Sequence, residues 1–447
     1  MVDTLEARSK IQDLNNNTKK CLYAFNHTEY NNNGDWRVCC RTIPLANKSK
    51  YPSITEFWNG EEMRSIRKAM LDGKEHPHCN FCYSKENEGK TSFRQQSNFY
   101  LMYDTKSIEN LENSMSNTDQ DGYLDLSNFK SFEIRISNLC NLKCRMCNPY
   151  YSSRWAKDWK EYREYGKSIE DHHAHTDWDE LLKHPLSQAS PKEIKRIFKD
   201  IAPSLERLSI TGGEPFMEPQ LYDIFDIIEP YAKNISIIFV SNGTQIRNID
   251  QLGQRLNKFR KAKIVLSVDG HGEYYEYVRQ LSDWRLFSET AYKIRDITND
   301  TIDIQFKPLV QIYNYPSIID TLTWVNDNFD CYIDMTLLEY PNHMSMYCLP
   351  IELKNKIHKE WTEWTDLVAD DLGPFSTRWT KTQRNRIVFN MRRILNSLTL
   401  RNTQDLLPKF IGASDLLDSI QKVKKTWREL LPELAKELDN IKQIILK

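Results

Sequence analysis

Ten cysteines stand at positions 21, 39, 40, 79, 82, 140, 144, 147, 331 and 348, eight of them in the first third of a 447-residue chain. The chain opens Met1-Val2-Asp3 with no secretory pattern, and thiols clustered at short spacings in a reducing compartment favour metal ligation over disulfides. Three of them stand as Cys140-Asn-Leu-Lys-Cys144-Arg-Met-Cys147, directly after a β-patterned run. A structural zinc site closes its tetrahedron with four protein ligands, whereas three thiolates on an iron–sulfur cube leave one iron open to a substrate or cofactor. A zinc site or a set of structural thiols is the alternative reading of the same triad. Cys331 and Cys348 flank the last β-pattern without close cysteine neighbours and read as buried core thiols. Asp171-His172-His173-Ala-His175 reads as solvated surface in a charged connection rather than as a metal site.

Positioning these residues requires a substantial fold. At 53.0 kDa the chain exceeds what one hydrophobic core serves, so two or three structural units are expected. Hydrophobic residues make up 40%, charged residues 28% and aromatic residues 11%, which excludes a wholly disordered chain and a disulfide-stapled mini-protein. With 61 Lys+Arg against 62 Asp+Glu, a broad nucleic-acid surface is disfavoured, though a tRNA or nucleotide substrate stays open. Apolar runs such as Ile235 to Val240 are too short to span a bilayer, so no membrane association and a cytoplasmic location are expected.

From Phe129 onward, β-patterned runs alternate with helix-length segments: Phe132 to Ser137, Leu205 to Thr211, Ile235 to Ser241, Ile264 to Asp269, Ile302 to Ile312 and Tyr332 to Leu338. Alternation of this kind argues for parallel βαβ units, an α/β fold, and active residues at strand C-termini. The expected organisation is a cysteine-rich region at 1–103, irregular except for a helical pattern over Ile54 to Leu71. A polar linker at 104–128 leads to a barrel at 129–350, and a helical region occupies 351–447. Within the barrel, 150–201 is a helical insertion broken at His184-Pro185 and Ser190-Pro191 and able to act as a lid. Trp155, Trp159 and Trp178 in it read as helix-packing anchors, with a substrate-lining role as the alternative.

The CxxxCxxC triad after a strand resembles the signature of the radical SAM superfamily, and the strand series resembles that family's partial (β/α)6 barrel. The resemblance implies a 4Fe-4S cluster on Cys140, Cys144 and Cys147, and S-adenosylmethionine (SAM) on its open iron. It extends to Thr211-Gly212-Gly213-Glu214-Pro215, similar to the GGE motif, which implies that Gly212, Gly213 and Glu214 hold the methionyl amino group; a Gly-rich turn is the alternative. By the same resemblance Ser267 and Asp269 lie near the ribose, and Arg279 pairs with the methionyl carboxylate, a task suited to a planar guanidinium fork. Asn242-Gly243 resembles the TNG turn bordering the SAM pocket, with Ser241 in place of Thr. Met146 stands where many members carry an aromatic residue against the adenine, and its polarizable thioether can substitute.

The N-terminal cysteines resemble the SPASM/twitch subgroup. Cys21, twelve residues, Gly34, four residues and Cys39 fit its CX9-15GX4C element, with Cys79-Asn-Phe-Cys82 following, although these elements usually come after the barrel. The order is closer to twitch-domain radical SAM proteins of marine phage and bacteria, which share the segments around Cys39-Cys40, Cys79 to Cys82 and Glu88 to Arg94. This implies a second, auxiliary 4Fe-4S cluster on Cys21, Cys39, Cys79 and Cys82, with Cys40 as the alternative to Cys39 and a zinc knuckle as the alternative occupant. The family chemistry is reductive cleavage of SAM to a 5′-deoxyadenosyl radical, which abstracts hydrogen from a substrate. The expected substrate is a peptide or protein side chain, with a nucleotide, carbohydrate or other small molecule as alternative, and an electron donor such as flavodoxin or ferredoxin. The reading from another class is a non-catalytic zinc-binding scaffold.

Overall fold

The computed structural model describes residues 5–104, 108–370 and 379–445. Thirteen strands follow in chain order: β1 (His27–Tyr30), β2 (Asp35–Arg37), β3 (Ala46–Asn47), β4 (Ser131–Arg135), β5 (Lys143–Cys144), β6 (Arg207–Thr211), β7 (Ser236–Ser241), β8 (Lys261–Ser267), β9 (Arg279–Gln280), β10 (Ile302–Lys307), β11 (Leu309–Val310), β12 (Tyr332–Ile333) and β13 (Thr336–Leu337). The chain divides into two compact units. The first is Met1–Asn138, Ser187–Phe239 and Gln251–Lys263; the second is Leu139–Leu186, Val240–Asp250 and Ile264–Lys447.

In the first unit the sheet order is β7-β6-β4-β1-β2-β3. β4, β6 and β7 pair in parallel, with apolar residues in register: Phe132 with Leu208, Ile134 with Ile210, and Ile210 with Phe239. β7 carries the continuous apolar run of a strand covered on both faces, whereas β4 and β6 alternate apolar with polar residues, and both patterns are legible as β. The helix Pro191–Ile201 begins with a Ser190/Glu193 capping box and Pro191 in its first turn, and buries Ile194, Ile197, Phe198 and Ile201. That spacing is one helical face, and it packs against the helix Gln220–Ile228.

The N-terminal region is more regular than its sequence suggests. β1 joins β4 in parallel, and β2 and β3 continue the sheet as antiparallel neighbours. All four residues of β1 are buried although three are polar. The polarity is absorbed by His27 Nδ1 at 2.8 Å from Ser131 Oγ, Thr28 Oγ1 donating to Arg37 O at 2.5 Å, and Glu29 facing Arg135 at 3.7 Å. The single helix expected over Ile54 to Leu71 is two, Ile54–Trp58 and Glu61–Leu71, separated at Asn59-Gly60. The expected 104–128 linker contains the helix Ile108–Ser116, whose Ile108, Leu111 and Met115 carry helical spacing that the polar context obscured; residues 105–107 of that segment lie outside the described residues.

In the second unit the sheet order is β12-β10-β8, with β10 and β12 parallel. The run Ile302 to Ile312 breaks into β10 and β11 at Pro308, which has no N–H to give a ladder. β11 then pairs in parallel with β13. The C-terminal region is helical as expected: Ile351–Ala369, Lys381–Leu400, Leu407–Gln421, Trp427–Leu430 and Pro432–Ile445, with 371–378 and 446–447 outside the described residues. The fold is thus mixed α/β with a parallel sheet and a helical C-terminal region. No described helix is long and apolar enough to cross a membrane.

Candidate active site

In the second unit, the loop bearing Cys140, Cys144 and Cys147 is held by backbone and side chains together. β5 runs antiparallel to β9, placing Cys144 opposite Arg279. Cys147 N donates to Cys144 O at 2.9 Å, closing a tight turn. Trp155 Nε1 donates to Cys144 O at 2.9 Å, and Ser152 Oγ donates to Leu142 O at 2.7 Å. None of the three is in a disulfide; Cys140 is buried and the other two are half-buried. Two donors face the sulfurs: Asn242 Nδ2 at 3.8 Å from Cys140 Sγ, and Arg279 Nη1 at 3.9 Å from Cys144 Sγ.

The thiols lie in one another's field. Burial pushes Cys144 up to about 12, with Arg279 drawing it down and Cys140 pushing it further up. Burial also raises Cys147, and both Cys144 and Cys140 add to that. A cation entering beside Cys144 and Cys147 would favour their thiolates, which is the chemistry of a metal or cluster site. Among the described residues, no three His, Cys, Asp or Glu side chains are arranged to hold a single metal ion.

Asp269 follows the end of β8 and is 0% exposed; Arg279 is 7% exposed, and its Nη2 stands 2.8 Å from Asp269 Oδ2. Leu309 N donates to Asp269 Oδ1 at 2.9 Å. Burial raises the Asp269 carboxyl above the usual range, and Arg279 pulls it part of the way back. Arg279 Nε has no hydrogen-bond partner in the protein. Ser267 ends β8 and Met146 lies in the cysteine loop, both half-buried. Asn242 belongs to a closed ring of hydrogen bonds: its Nδ2 donates to Asn141 Oδ1 at 2.9 Å, its Oδ1 accepts from Thr244 N at 2.9 Å, and Asn141 Nδ2 donates to Thr244 Oγ1 at 2.8 Å.

In the first unit, Gly212, Gly213 and Glu214 follow β6. Gly212 has φ +112°, and a Cβ there would fall 2.4 Å from Arg135 Cγ and 2.8 Å from Ser137 O. Gly213 N donates to Ser137 O at 3.0 Å. Glu214 is fully buried and its carboxylate accepts from Phe216 N at 3.2 Å. The turn is therefore fixed by close approach to the end of β4, which only glycine permits.

The first unit also holds the N-terminal cysteines. Cys21, Cys39 and Cys82 are buried, Cys79 half-buried and Cys40 exposed. Burial raises Cys79, and Cys21 and Cys82 raise it further; Cys39 is raised by burial, then by Cys40, Cys21 and Cys82. Cys21 is pushed up to about 11 by burial and then by Cys82. Cys21, Cys39, Cys79 and Cys82 thus share one electrostatic neighbourhood. The Cys40 thiol, besides its neighbour Cys39, lies in the field of Glu133 and Glu29. Beside the four, Arg94 bonds Glu86 at 2.8 Å, Lys20 O at 2.8 Å and Asn15 O at 2.8 Å, which ties the ends of this segment together.

Elsewhere in the second unit, Cys348 packs in the core with Sγ 3.2 Å from Asn342 O, and Cys331 is buried, as expected of core thiols. His173 departs from the solvated reading: it is buried, its ring stacked 4.6 Å from Tyr150. Trp155, Trp159 and Trp178 are buried and in ring contact at 5.8 and 5.6 Å, the packing role. Residues that sequence reasoning passed over are Asn141, Thr244, Arg145, Asp418 and Gln311. Arg145 had a signal, being a charge inside a buried cysteine loop; Asp418 and Gln311 had none. Gln311 is 0% exposed with neither amide atom hydrogen-bonded to protein.

Residues 134–305 match the Radical SAM superfamily. The chain therefore carries a radical SAM domain. No curated protein matches the chain. Among solved structures, histidine-tagged anSMEcpe with bound AdoMet is 16% identical, over 54% of this chain and 60% of that one, with a TM-score of 0.37. SuiB of Streptococcus suis bound to S-adenosylmethionine is 14% identical, over 67% of this chain and 63% of that one, with a TM-score of 0.34. The same protein bound to precursor peptide SuiA is 12% identical, over 76% of this chain and 68% of that one, with a TM-score of 0.32. The chain thus spans about 60% of the length of anSMEcpe.

Proposed function

We propose that the chain is a radical SAM enzyme of SPASM/twitch type, and that Cys140, Cys144 and Cys147 bind three irons of a 4Fe-4S cluster. The carrying observation is the single loop with three mutually coupled thiols, two of whose sulfurs are met by Asn242 and Arg279. Held there with SAM, such a cluster would supply radical chemistry, able on one-electron reduction to abstract hydrogen from an unactivated C–H bond.

In this reading the residues around the loop bind and orient. Arg279 takes the methionyl carboxylate through its free Nε edge while Asp269 holds the guanidinium in place. By the resemblance to the family's motifs, Gly212, Gly213 and Glu214 take the amino group, Ser267 and Asp269 lie toward the ribose, and Met146 packs against the adenine. Asn242 orients the turn and donates to Cys140. Gln311 offers a bound molecule one donor and one acceptor. Cys21, Cys39, Cys79 and Cys82 bind an auxiliary 4Fe-4S cluster, for structure or electron transfer, with Cys40, whose thiol lies in the field of Glu133 and Glu29, as the alternative to Cys39. The substrate is a peptide or protein side chain, supported by the resemblance of the N-terminal cysteine elements to SPASM/twitch enzymes, and electrons come from a flavodoxin or ferredoxin.

The test is iron and sulfide analysis with 5′-deoxyadenosine release, for wild type beside a Cys140→Ala/Cys144→Ala/Cys147→Ala variant, purified anaerobically. The expected result is about eight irons in wild type and about four in the variant, with SAM cleavage abolished. Unchanged iron and cleavage in the variant would defeat the reading, as would a colourless wild type with stoichiometric zinc.

A further inference from the structure

Arg145 lies inside the cysteine loop, between Cys144 and Cys147, and is fully buried. Its backbone N donates to Val278 O at 2.9 Å and its Nε to Tyr277 O at 3.1 Å. The guanidinium stands 3.7 Å over the Tyr277 ring and 5.3 Å from the Tyr313 ring. Its charge is met by Asp418, whose Oδ1 accepts from Nη2.

Asp418 belongs to the helix Leu407–Gln421, 273 residues further along the chain. It is itself held on both oxygens, Oδ1 accepting from Tyr277 Oη at 2.7 Å and Oδ2 from Trp427 N at 2.7 Å. One turn earlier on the same helix, Ser414 Oγ lies 2.8 Å from Tyr313 Oη. The helix Leu407–Gln421 therefore reaches the cysteine loop through a carboxylate, a guanidinium and two tyrosines that are all buried.

We propose that Asp418 is a positioning residue for the cysteine loop: by neutralising and fixing Arg145 it sets the conformation and the electrostatic surroundings of Cys144 and Cys147. This rests on the reading that those thiols hold a cluster. Removing the carboxylate charge leaves a buried cation uncompensated on the cysteine loop itself, at the residue that follows Cys144. A positive charge there favours the state carrying one more electron, so the cluster becomes easier to reduce.

Asp418→Asn keeps the shape and an acceptor but drops the charge. In anaerobically prepared full-length protein, the expected result is a midpoint potential shifted positive, read on the reduced-cluster EPR signal that changes when SAM is added. An Arg145→Met/Asp418→Asn double variant removes both charges and brings the potential back toward wild type, and Tyr277→Phe, which keeps both charges, leaves it in place. If Asp418→Asn fails to take up iron, the double variant decides: recovered loading supports charge compensation, and continued failure overturns it. An Asp418→Asn protein with wild-type potential and EPR spectrum overturns the proposal. Wild type that binds no iron defeats the cluster reading itself, which keeps the two failures apart.

Discussion

Replacing Arg279 by methionine removes a cation whose Nη2 stands 2.8 Å from Asp269 Oδ2, with Asp269 0% exposed. Breaking a buried ion pair at one partner costs about 3–5 kcal/mol, because the other charge is left uncompensated. Asp269 escapes part of that cost by taking a proton. Burial already raises its carboxyl, and the variant loses the attraction of Arg279 that lowers it. A carboxyl whose folded pKa is raised destabilises the fold only once it must ionise, so its contribution is intact below the ordinary Asp value of about 3.9 and is lost as pH rises through the raised value. The deficit of Arg279→Met is therefore small near pH 4 and approaches its full size at pH 7.5. Adding Asp269→Asn removes the orphaned charge and restores most of the stability. SAM affinity behaves differently: a charge-assisted bond from Arg to a carboxylate contributes about 2–3 kcal/mol, or roughly 30- to 150-fold in Kd. The second substitution does not return it. Anaerobic urea unfolding at the two pH values and equilibrium dialysis with SAM measure the two effects separately. A variant as stable as wild type at pH 7.5 would refute the buried-pair argument, and a double variant that binds SAM normally would refute the carboxylate assignment.

Gly212→Ala places a Cβ 2.4 Å from Arg135 Cγ at φ +112°, a backbone strain of about 1–3 kcal/mol before any clash; the expectation is loss of SAM binding in dialysis with the iron of the triad retained. Cys39→Ala lowers bound iron by about four atoms while Cys40→Ala leaves it unchanged; iron analysis giving the reverse result would exchange the two residues in the ligand set. Burial holds His343, whose Nε2 lies 3.0 Å from Tyr162 Oη, down to about 3. Its folded pKa being depressed, it supports the fold above about pH 6.5, and that support is lost as pH falls toward 3. Unfolding in that window should take up close to one extra proton, and His343→Gln should flatten the pH dependence of the urea midpoint; an equal slope in the variant would place the titration elsewhere.

The strands β7 and β8 could be read from unbroken apolar runs, as strands covered on both faces carry, and β4, β6 and β10 from the period-2 alternation of apolar with polar residues. β1 could not be, since His27, Thr28 and Glu29 are polar and their burial is licensed by Ser131, Arg37 and Arg135, groups distant in sequence. The helix Ile108–Ser116 was hidden in a polar segment for a related reason: a narrow apolar stripe is weak against its composition.

For the site, residue type and spacing marked out the thiol triad and a Gly-rich turn, because ligation demands thiols at short separations, while Arg279 and Asp269 came forward only through the resemblance to the radical SAM motifs. Tertiary structure decided what lies between them. It pairs Arg279 with Asp269, sets Asn242 against Cys140, gathers Cys39 with Cys21, Cys79 and Cys82 while leaving Cys40 exposed, and brings Asp418 to Arg145 across 273 residues. Local pattern carries no record of such contacts, since a buried charge is compensated by whichever distant group the packing delivers to it.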